Sequence, residues 1–125
     1  MALKHILIID DEADIREVAQ VSLEMMGNWG VVTARSGQEG LAKAEAEQPD
    51  AILLDVMMPD MDGPTTFQQL QQTPALCHIP VVLMTAKVQT SDQRRFANLG
   101  VKGVIAKPFD PLTLAARVAE TLGWN

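Results

Sequence analysis

The sequence predicts an α/β fold in which a five-stranded parallel sheet is covered by helices on both faces. Short aliphatic or β-branched runs alternate five times with longer amphipathic stretches across the 125 residues, the rhythm of strands joined by crossover helices. The second observation is where the runs stop: the first, third, fourth and fifth end at Asp10, Asp55, Thr85 and Lys107.

His5 to Ile9 (HILII) is a continuous apolar run, as expected of a central strand buried on both faces. Ile15, Val18, Ala19, Ser22, Leu23 and Met26 then recur at helical spacing, and Gly27 stands where that helix should stop. Val31 to Ala34 is the second strand, and Ser36-Gly37-Gln38-Glu39 has the Ser-x-x-Glu form of a capping box opening the second helix. Ala51 to Leu54 is a third buried strand ending at Asp55, and Pro64 suits the first turn of a helix that begins after Gly63. Val81 to Met84 is the fourth strand, followed by a helix over roughly Ser91 to Leu99 that closes at Gly100. Val104 to Ala106 is a short fifth strand. Asp110-Pro111 then reads as a cap and a helical N1 proline, with Leu112, Ala115, Val118 and Leu122 as the apolar face of the last helix.

With 47% hydrophobic and 21% charged residues, the chain is expected to form one domain over residues 1–125, and the disordered, collagen-like and disulfide-framework classes are disfavoured. A net charge of −6 argues against nucleic acid or an anionic membrane as partner, because Lys and Arg displacing counterions drive such binding. The basic residues after position 80 are dispersed and read as a solvated surface. Cys77 is the only cysteine; it is expected to be a small buried hydrophobe, and its solitude points to a reducing, cytoplasmic setting. The apolar runs fall well short of the roughly 18 residues a membrane span needs, so no membrane insertion is expected.

If the strands are parallel, the residues at their carboxyl ends share one rim, which is where open α/β sheets bind ligands. Asp10, Asp11 and Asp55 would then crowd together, and two like charges about 4 Å apart repel by about 4 kcal/mol at an effective dielectric near 20. A cation relieves them, and an oxygen-only ligand set suits Mg²⁺ or Mn²⁺. His5 and His78 lie outside this pattern, which disfavours zinc. A metal beside a carboxylate, a lysine and a hydroxyl also meets the needs of phosphoryl transfer to an aspartate, with Asp55 as nucleophile and Lys107 and Thr85 on the phosphoryl oxygens.

These segments resemble the CheY-like receiver domains of two-component response regulators, from about Ile6 to Leu122. The resemblance lies in Ile8-Ile9-Asp10-Asp11-Glu12, in Pro49 through Gly63 around Leu54-Asp55-Val56-Met57-Met58-Pro59, in Met84-Thr85-Ala86, and in Gly103 through Phe109 around Ala106-Lys107-Pro108. It implies a doubly wound, flavodoxin-like (βα)5 sheet of strand order 2-1-3-4-5. Asp55 would be the phosphoacceptor, supplied by a sensor histidine kinase or a histidine phosphotransfer protein. Mg²⁺ would be held by Asp10, Asp11, Asp55 and the backbone carbonyl of Met57, while Thr85 and Lys107 bind the phosphoryl oxygens and the Lys107–Pro108 bond is cis. Met57 and Lys87 would adjust water access. Such a protein is a signalling switch, catalysing only its own phosphoryl transfer and autodephosphorylation, and it would act by docking a partner. No output domain follows within this chain, so the expectation is a single-domain receiver, with a receiver fragment of a larger regulator or hybrid kinase as the alternative.

Other classes fit less well. A haloacid-dehalogenase-like phosphohydrolase needs a second Asp two residues after the nucleophile, where Met57 stands. A flavodoxin-like flavin binder needs a hydroxyl- and Gly-rich loop where Asp10-Asp11-Glu12 stands. Neither a Gly-x-Gly-x-x-Gly fingerprint nor a Walker A loop occurs. A phosphorylation-independent receiver-like interaction module is the remaining alternative.

One departure from the resemblance concerns output. Many receivers carry an aromatic residue three positions before the lysine, where this chain has Val104. Without a ring to turn inward, output is expected to run through the loop after Thr85 or the loop after Asp55. Beryllofluoride titration in the presence of Mg²⁺ should shift NMR resonances within residues 86–99 or 56–63; spectra unchanged in both segments would rule this route out.

Overall fold

The computed structural model describes residues 3–86, 94–96 and 98–124. Five parallel strands form one sheet: β1 (His5–Ile9), β2 (Gly30–Ala34), β3 (Ala51–Asp55), β4 (Val81–Thr85) and β5 (Gly103–Ala106). Their order is β2-β1-β3-β4-β5, as the resemblance implies. The helices are α1 (Ala13–Gly27), α2 (Gly37–Glu47), α3 (Gly63–Gln72) and a C-terminal helix (Leu114–Leu122). Of the helix expected over Ser91 to Leu99, residues 94–96 are helical and 98–100 form a turn; 91–93 and 97 lie outside the described residues, as does Lys87.

Side-chain alternation along the strands divides the core in two. Ile6, Ile8, Leu53, Val82 and Met84 pack with Ala19 and Leu23 of α1 and Leu114, Ala115 and Val118 of the C-terminal helix. Leu7, Ile9, Ile52, Leu54 and Leu83 point the other way, into a cluster with Ala44 of α2, Phe67 and Leu70 of α3, and Phe96. The apolar runs of β1, β3 and β4 have no polar alternation because helices cover both their faces.

Local signals set most of the helix ends. Ser36 accepts a hydrogen bond from the Glu39 N–H at 3.1 Å, and Glu39 reaches back to the Arg35 N–H at 3.0 Å, so the expected cap is present with its return bond one residue early. Asp62 caps α3 by accepting from the Thr65 N–H at 2.8 Å, with Pro64 in the first turn. At the end of α1 the left-handed residue is Asn28, with φ of 57°, while Gly27 is still helical. The last helix begins later than expected. The Asp110 carboxylate and carbonyl accept from the N–H groups of Leu112 and Thr113 and close a turn, and regular helix starts only at Leu114.

Four burial expectations fail. Leu112 lies in that preliminary turn and is 72% exposed. Val18 and Met26 are exposed because the apolar stripe of α1 is wider than the strip the sheet and C-terminal helix cover. Cys77 lies at the surface, in the turn after α3. At the amino ends of the strands, Trp29 and Trp124 meet edge to face with centroids 5.2 Å apart, and Lys4 Nζ lies 4.9 Å over the Trp124 ring.

The order of the strands makes the site possible. The chain leaves β1 for β2 on one side and returns to β3 on the other, so a crevice opens at the carboxyl ends between β1 and β3. Ile9 is in register with Leu54, Asp55 with Met84, and Thr85 with Ala106, which brings Asp10, Asp55, Thr85 and Lys107 to neighbouring levels of one rim. Gly63 then allows α3 to start against that rim: its N–H donates to the Val56 carbonyl at 2.9 Å, and a methyl group there would sit 2.5 Å from the Asp55 carbonyl oxygen. Gly63→Ala should therefore lower stability by about 1–3 kcal/mol through overpacking against rigid backbone, measured as a reduced urea midpoint at unchanged m-value.

Candidate functional site

Asp10 and Asp55 reach the rim from the two central strands and are almost fully buried, at 0% and 2% exposure. Asp11 follows Asp10 and is exposed. One carboxylate oxygen from each of the three can be chosen so that all lie within 4.8 Å of one another. Lys107 arrives from the end of β5, its backbone N–H donating to the Thr85 carbonyl at 2.9 Å. Its ammonium donates to Asp10 Oδ2 and to Asp55 Oδ1, each at 3.0 Å, and lies 3.8 Å from Glu12 Oε1. Thr85 is buried at the end of β4, between β3, which carries Asp55, and β5, which leads to Lys107. The Lys107–Pro108 bond is cis, in agreement with the resemblance.

Burial and then the neighbouring Asp10 charge push Asp55 up to about 6, against the opposing pull of the Lys107 ammonium and the Met57 backbone. Burial pulls Lys107 down, yet its hydrogen bonds to Asp10 and Asp55 outweigh this and hold it above the ordinary lysine value. Lys107 is thus a fixed positive charge, and Asp55 is a carboxylate whose ionisation its surroundings disfavour.

The cluster fits a hard divalent cation. Its donors are carboxylate oxygens alone, which select Mg²⁺ or Mn²⁺ over softer metals. Three carboxylates and one ammonium leave two net negative charges. Both Asp10 oxygens are already engaged, by the Glu12 N–H at 2.9 Å and by Lys107. Asp55 Oδ2, by contrast, is buried with no hydrogen-bond partner. An orphaned carboxylate oxygen costs roughly 1–3 kcal/mol or more in desolvation, and a cation is the partner that would remove that cost.

A cleft of about 280 Å³ opens over the cluster, lined by Glu12, Ile15, Asp55, Met57, Ala86 and Lys107, among others. Met57 stands at its lip, 60% exposed. A larger cleft of about 390 Å³ lies beside α1, but its wall is mainly apolar, from Val18, Val21, Met25, Met26 and Leu112, with Glu17 as its one titratable lining residue. The smaller one holds the reactive groups. All five side chains expected at the site therefore share one rim. Sequence reasoning missed the Glu12 contact to Lys107 and the Arg16 side chain, which donates to the Asp10 carbonyl at 2.8 Å. Nothing in the spacing of an exposed-looking helical arginine reveals such a bond. The close approach of Gly63 was foreshadowed only by a glycine before a helix-opening proline.

Comparison with known proteins agrees with this geometry. The family described as response regulator receiver domain matches residues 6–119. The chain is 41% identical over 119 residues to the alkaline phosphatase synthesis transcriptional regulatory protein PhoP of Bacillus subtilis, covering 95% of this chain and 48% of that protein. It is 38% identical over 120 residues to the DNA-binding dual master transcriptional regulator RpaA of Synechocystis, covering 96% of this chain and 49% of that one. It thus spans about half the length of the curated relatives it matches. Among solved structures, the chemotaxis protein CheY4 of Vibrio cholerae superimposes with a TM-score of 0.88 at 28% identity, over 96% of this chain and 99% of that one. The sheet order, the acidic rim and these matches together assign the chain to the receiver domains of response regulators, the family to which it belongs.

Proposed function

We propose that this chain is a phosphorylation-activated switch of a two-component phosphorelay, in which Asp55 accepts a phosphoryl group from a phosphohistidine. The observation that carries the reading is a buried aspartate with one oxygen on Lys107 and the other without a partner, facing a cleft at the strand ends. Asp10, Asp11, Asp55 and the backbone carbonyl of Met57 would hold Mg²⁺, with Mn²⁺ able to substitute. When bound, the metal would neutralise charge on the phosphoryl oxygens during transfer.

The chain's own residues do the rest. A carboxylate oxygen of Asp55 attacks phosphorus; the new O–P bond forms as the P–N bond to the donor imidazole breaks, and the nitrogen keeps the electron pair. Lys107, already placed between Asp10 and Asp55, moves its charge onto a phosphoryl oxygen, and the Thr85 hydroxyl donates to another. Glu12 and Met57 border the cleft through which the donor enters and water leaves. Hydrolysis of the acyl phosphate by water returns the switch to its start, so the only reactions catalysed are those of Asp55 itself.

The phosphoryl group adds roughly −1.5 to −2 charge by analogy with other phosphorylated side chains, enough to reorganise the adjoining loops. Val104 is partly buried against one of the two core clusters and offers no ring to rotate, so output through the loops after Thr85 and Asp55 is part of this proposal. The donor is a sensor histidine kinase or histidine phosphotransfer protein, and the downstream target is a protein, not nucleic acid. A cytoplasmic location is likewise proposed; no helix among the described residues is long and apolar enough to cross a membrane.

Intact-protein mass spectrometry after incubation with acetyl phosphate tests the reading. One phosphoryl group should be gained only with Mg²⁺ and lost in Asp55→Ala. Lys107→Ala should bind Mg²⁺ at least as tightly as wild type, because a positive charge leaves the site, yet form acyl phosphate about 10²-fold more slowly. No gain in wild-type protein that binds Mg²⁺ and is offered a phosphorylated kinase would favour the phosphorylation-independent module.

The strained ionisation of Asp55 has a sign that can be checked without phosphorylation. Because its folded-state pKa of about 6 lies above its ordinary value of 3.8, the folded form holds the proton longer than the unfolded chain. In metal-free protein its contribution to stability is greatest below pH 4 and is lost as the pH rises to about 6. Asp55→Asn should therefore stabilise metal-free protein at pH 7.5 by up to about 3 kcal/mol. The gain should shrink between pH 6 and pH 4 in urea titrations.

A further inference from the structure

The acidic pair sits where β1 ends and α1 begins, and four hydrogen bonds fix its first member. The Asp10 N–H donates to the Ala34 carbonyl at 3.0 Å, Oδ1 accepts from the Glu12 N–H at 2.9 Å, and Oδ2 accepts from Lys107 at 3.0 Å. The Asp10 carbonyl accepts from Nη1 of Arg16 at 2.8 Å. Asp11 is exposed and, among the described residues, has no hydrogen bond or ion pair of its own. What directs its carboxylate toward the cluster is therefore the backbone that leads into it.

That backbone is a single planar peptide group. A donor on the Asp10 carbonyl fixes the orientation of the plane, and with it the direction in which Asp11 leaves the chain. We propose that Arg16 is a positioning residue for divalent metal: acting through the Asp10 carbonyl, its guanidinium holds the Asp10–Asp11 peptide so that the Asp11 carboxylate stays within reach of Asp10 and Asp55. This rests on the metal-dependent reading of the site given above. Arg16 is well suited to the task, because it is half-buried and its own backbone N–H is committed to the Glu12 carbonyl at 3.1 Å. Its side chain springs from an anchored helical turn.

Electrostatics alone works in the opposite direction. A guanidinium beside a cation site weakens cation binding by repulsion, whereas a hydrogen bond that preorganises a ligand strengthens it. Two neutral, unbranched replacements separate these effects, since the Gln side chain keeps an N–H donor and the Met side chain has none.

Mg²⁺ affinity of the full chain is measured by calorimetry for wild type, Arg16→Gln and Arg16→Met, with Arg16→Leu as a second donor-free variant. Both donor-free variants should bind Mg²⁺ about 10-fold more weakly than Arg16→Gln, the size of effect typical of groups that orient metal ligands. Arg16→Gln should bind at least as tightly as wild type. In metal-free protein, the carbonyl ¹³C resonance of Asp10, read through the Asp11 N–H, should move upfield in the donor-free variants and stay in place in Arg16→Gln, and the same spectra report whether each variant is folded. Equal Mg²⁺ affinity in the donor-bearing and donor-free variants overturns the proposal, because charge alone then accounts for Arg16. Absence of Mg²⁺ binding by wild type overturns the metal reading itself, and with it this role; the two failures are thus distinguishable.

Discussion

The ammonium of Lys107 between two buried carboxylates is the interaction on which the top of this molecule depends. Moving an ionised carboxylate out of water costs several kcal/mol even after relaxation, and here Asp10 and Asp55 are both withdrawn from it. One lysine serves both at 3.0 Å. It lies 97 residues from Asp10 and 52 from Asp55 along the chain, so the pair meets this shared counter-charge only once β5 has docked on β4. The last strand, though short and at the sheet edge, brings to the two central ones a counter-charge that offsets part of their own.

The same cluster departs from the rule that good sequences satisfy every local preference at once. Elsewhere the signals agree: apolar runs in the covered strands, a serine cap on α2, an aspartate cap and proline opening α3. At the rim, a carboxylate is held with its pKa near 6 and one of its oxygens lacks a partner. Such local unfavourability, concentrated in a cleft and surrounded by a well-packed sheet, is the mark of a site built for a ligand and not for stability.

Much of this was legible beforehand, for physical reasons that differ from element to element. A strand covered on both faces must be apolar throughout, so HILII and AILL announced themselves, and the residue that breaks each run necessarily stands at the strand end. Once the strands are parallel, Asp10, Asp55, Thr85 and Lys107 have to share a rim. What stayed hidden depends on distances between elements. Periodicity could not tell which part of the α1 stripe would be covered, so Val18 and Met26 were expected inside and lie outside. The Asp110-Pro111 signal marked a real turn but not the helix start, because a proline suits a preliminary turn as well as a first helical one. Cys77 was judged by its residue type, while its position in the turn after α3 decided its exposure.

The edge-to-face tryptophan pair carries a consequence for anyone observing this protein in solution. Trp29 and Trp124 are the only tryptophans, tyrosine is absent, and both indoles stand beyond the amino ends of the strands, with the whole length of the sheet between them and the acidic rim. Intrinsic emission is therefore a distant witness. A change in it on occupancy of the rim would have to travel the length of the domain, and α1, which starts beside the rim at Glu12 and ends just before Trp29, offers one continuous path for it.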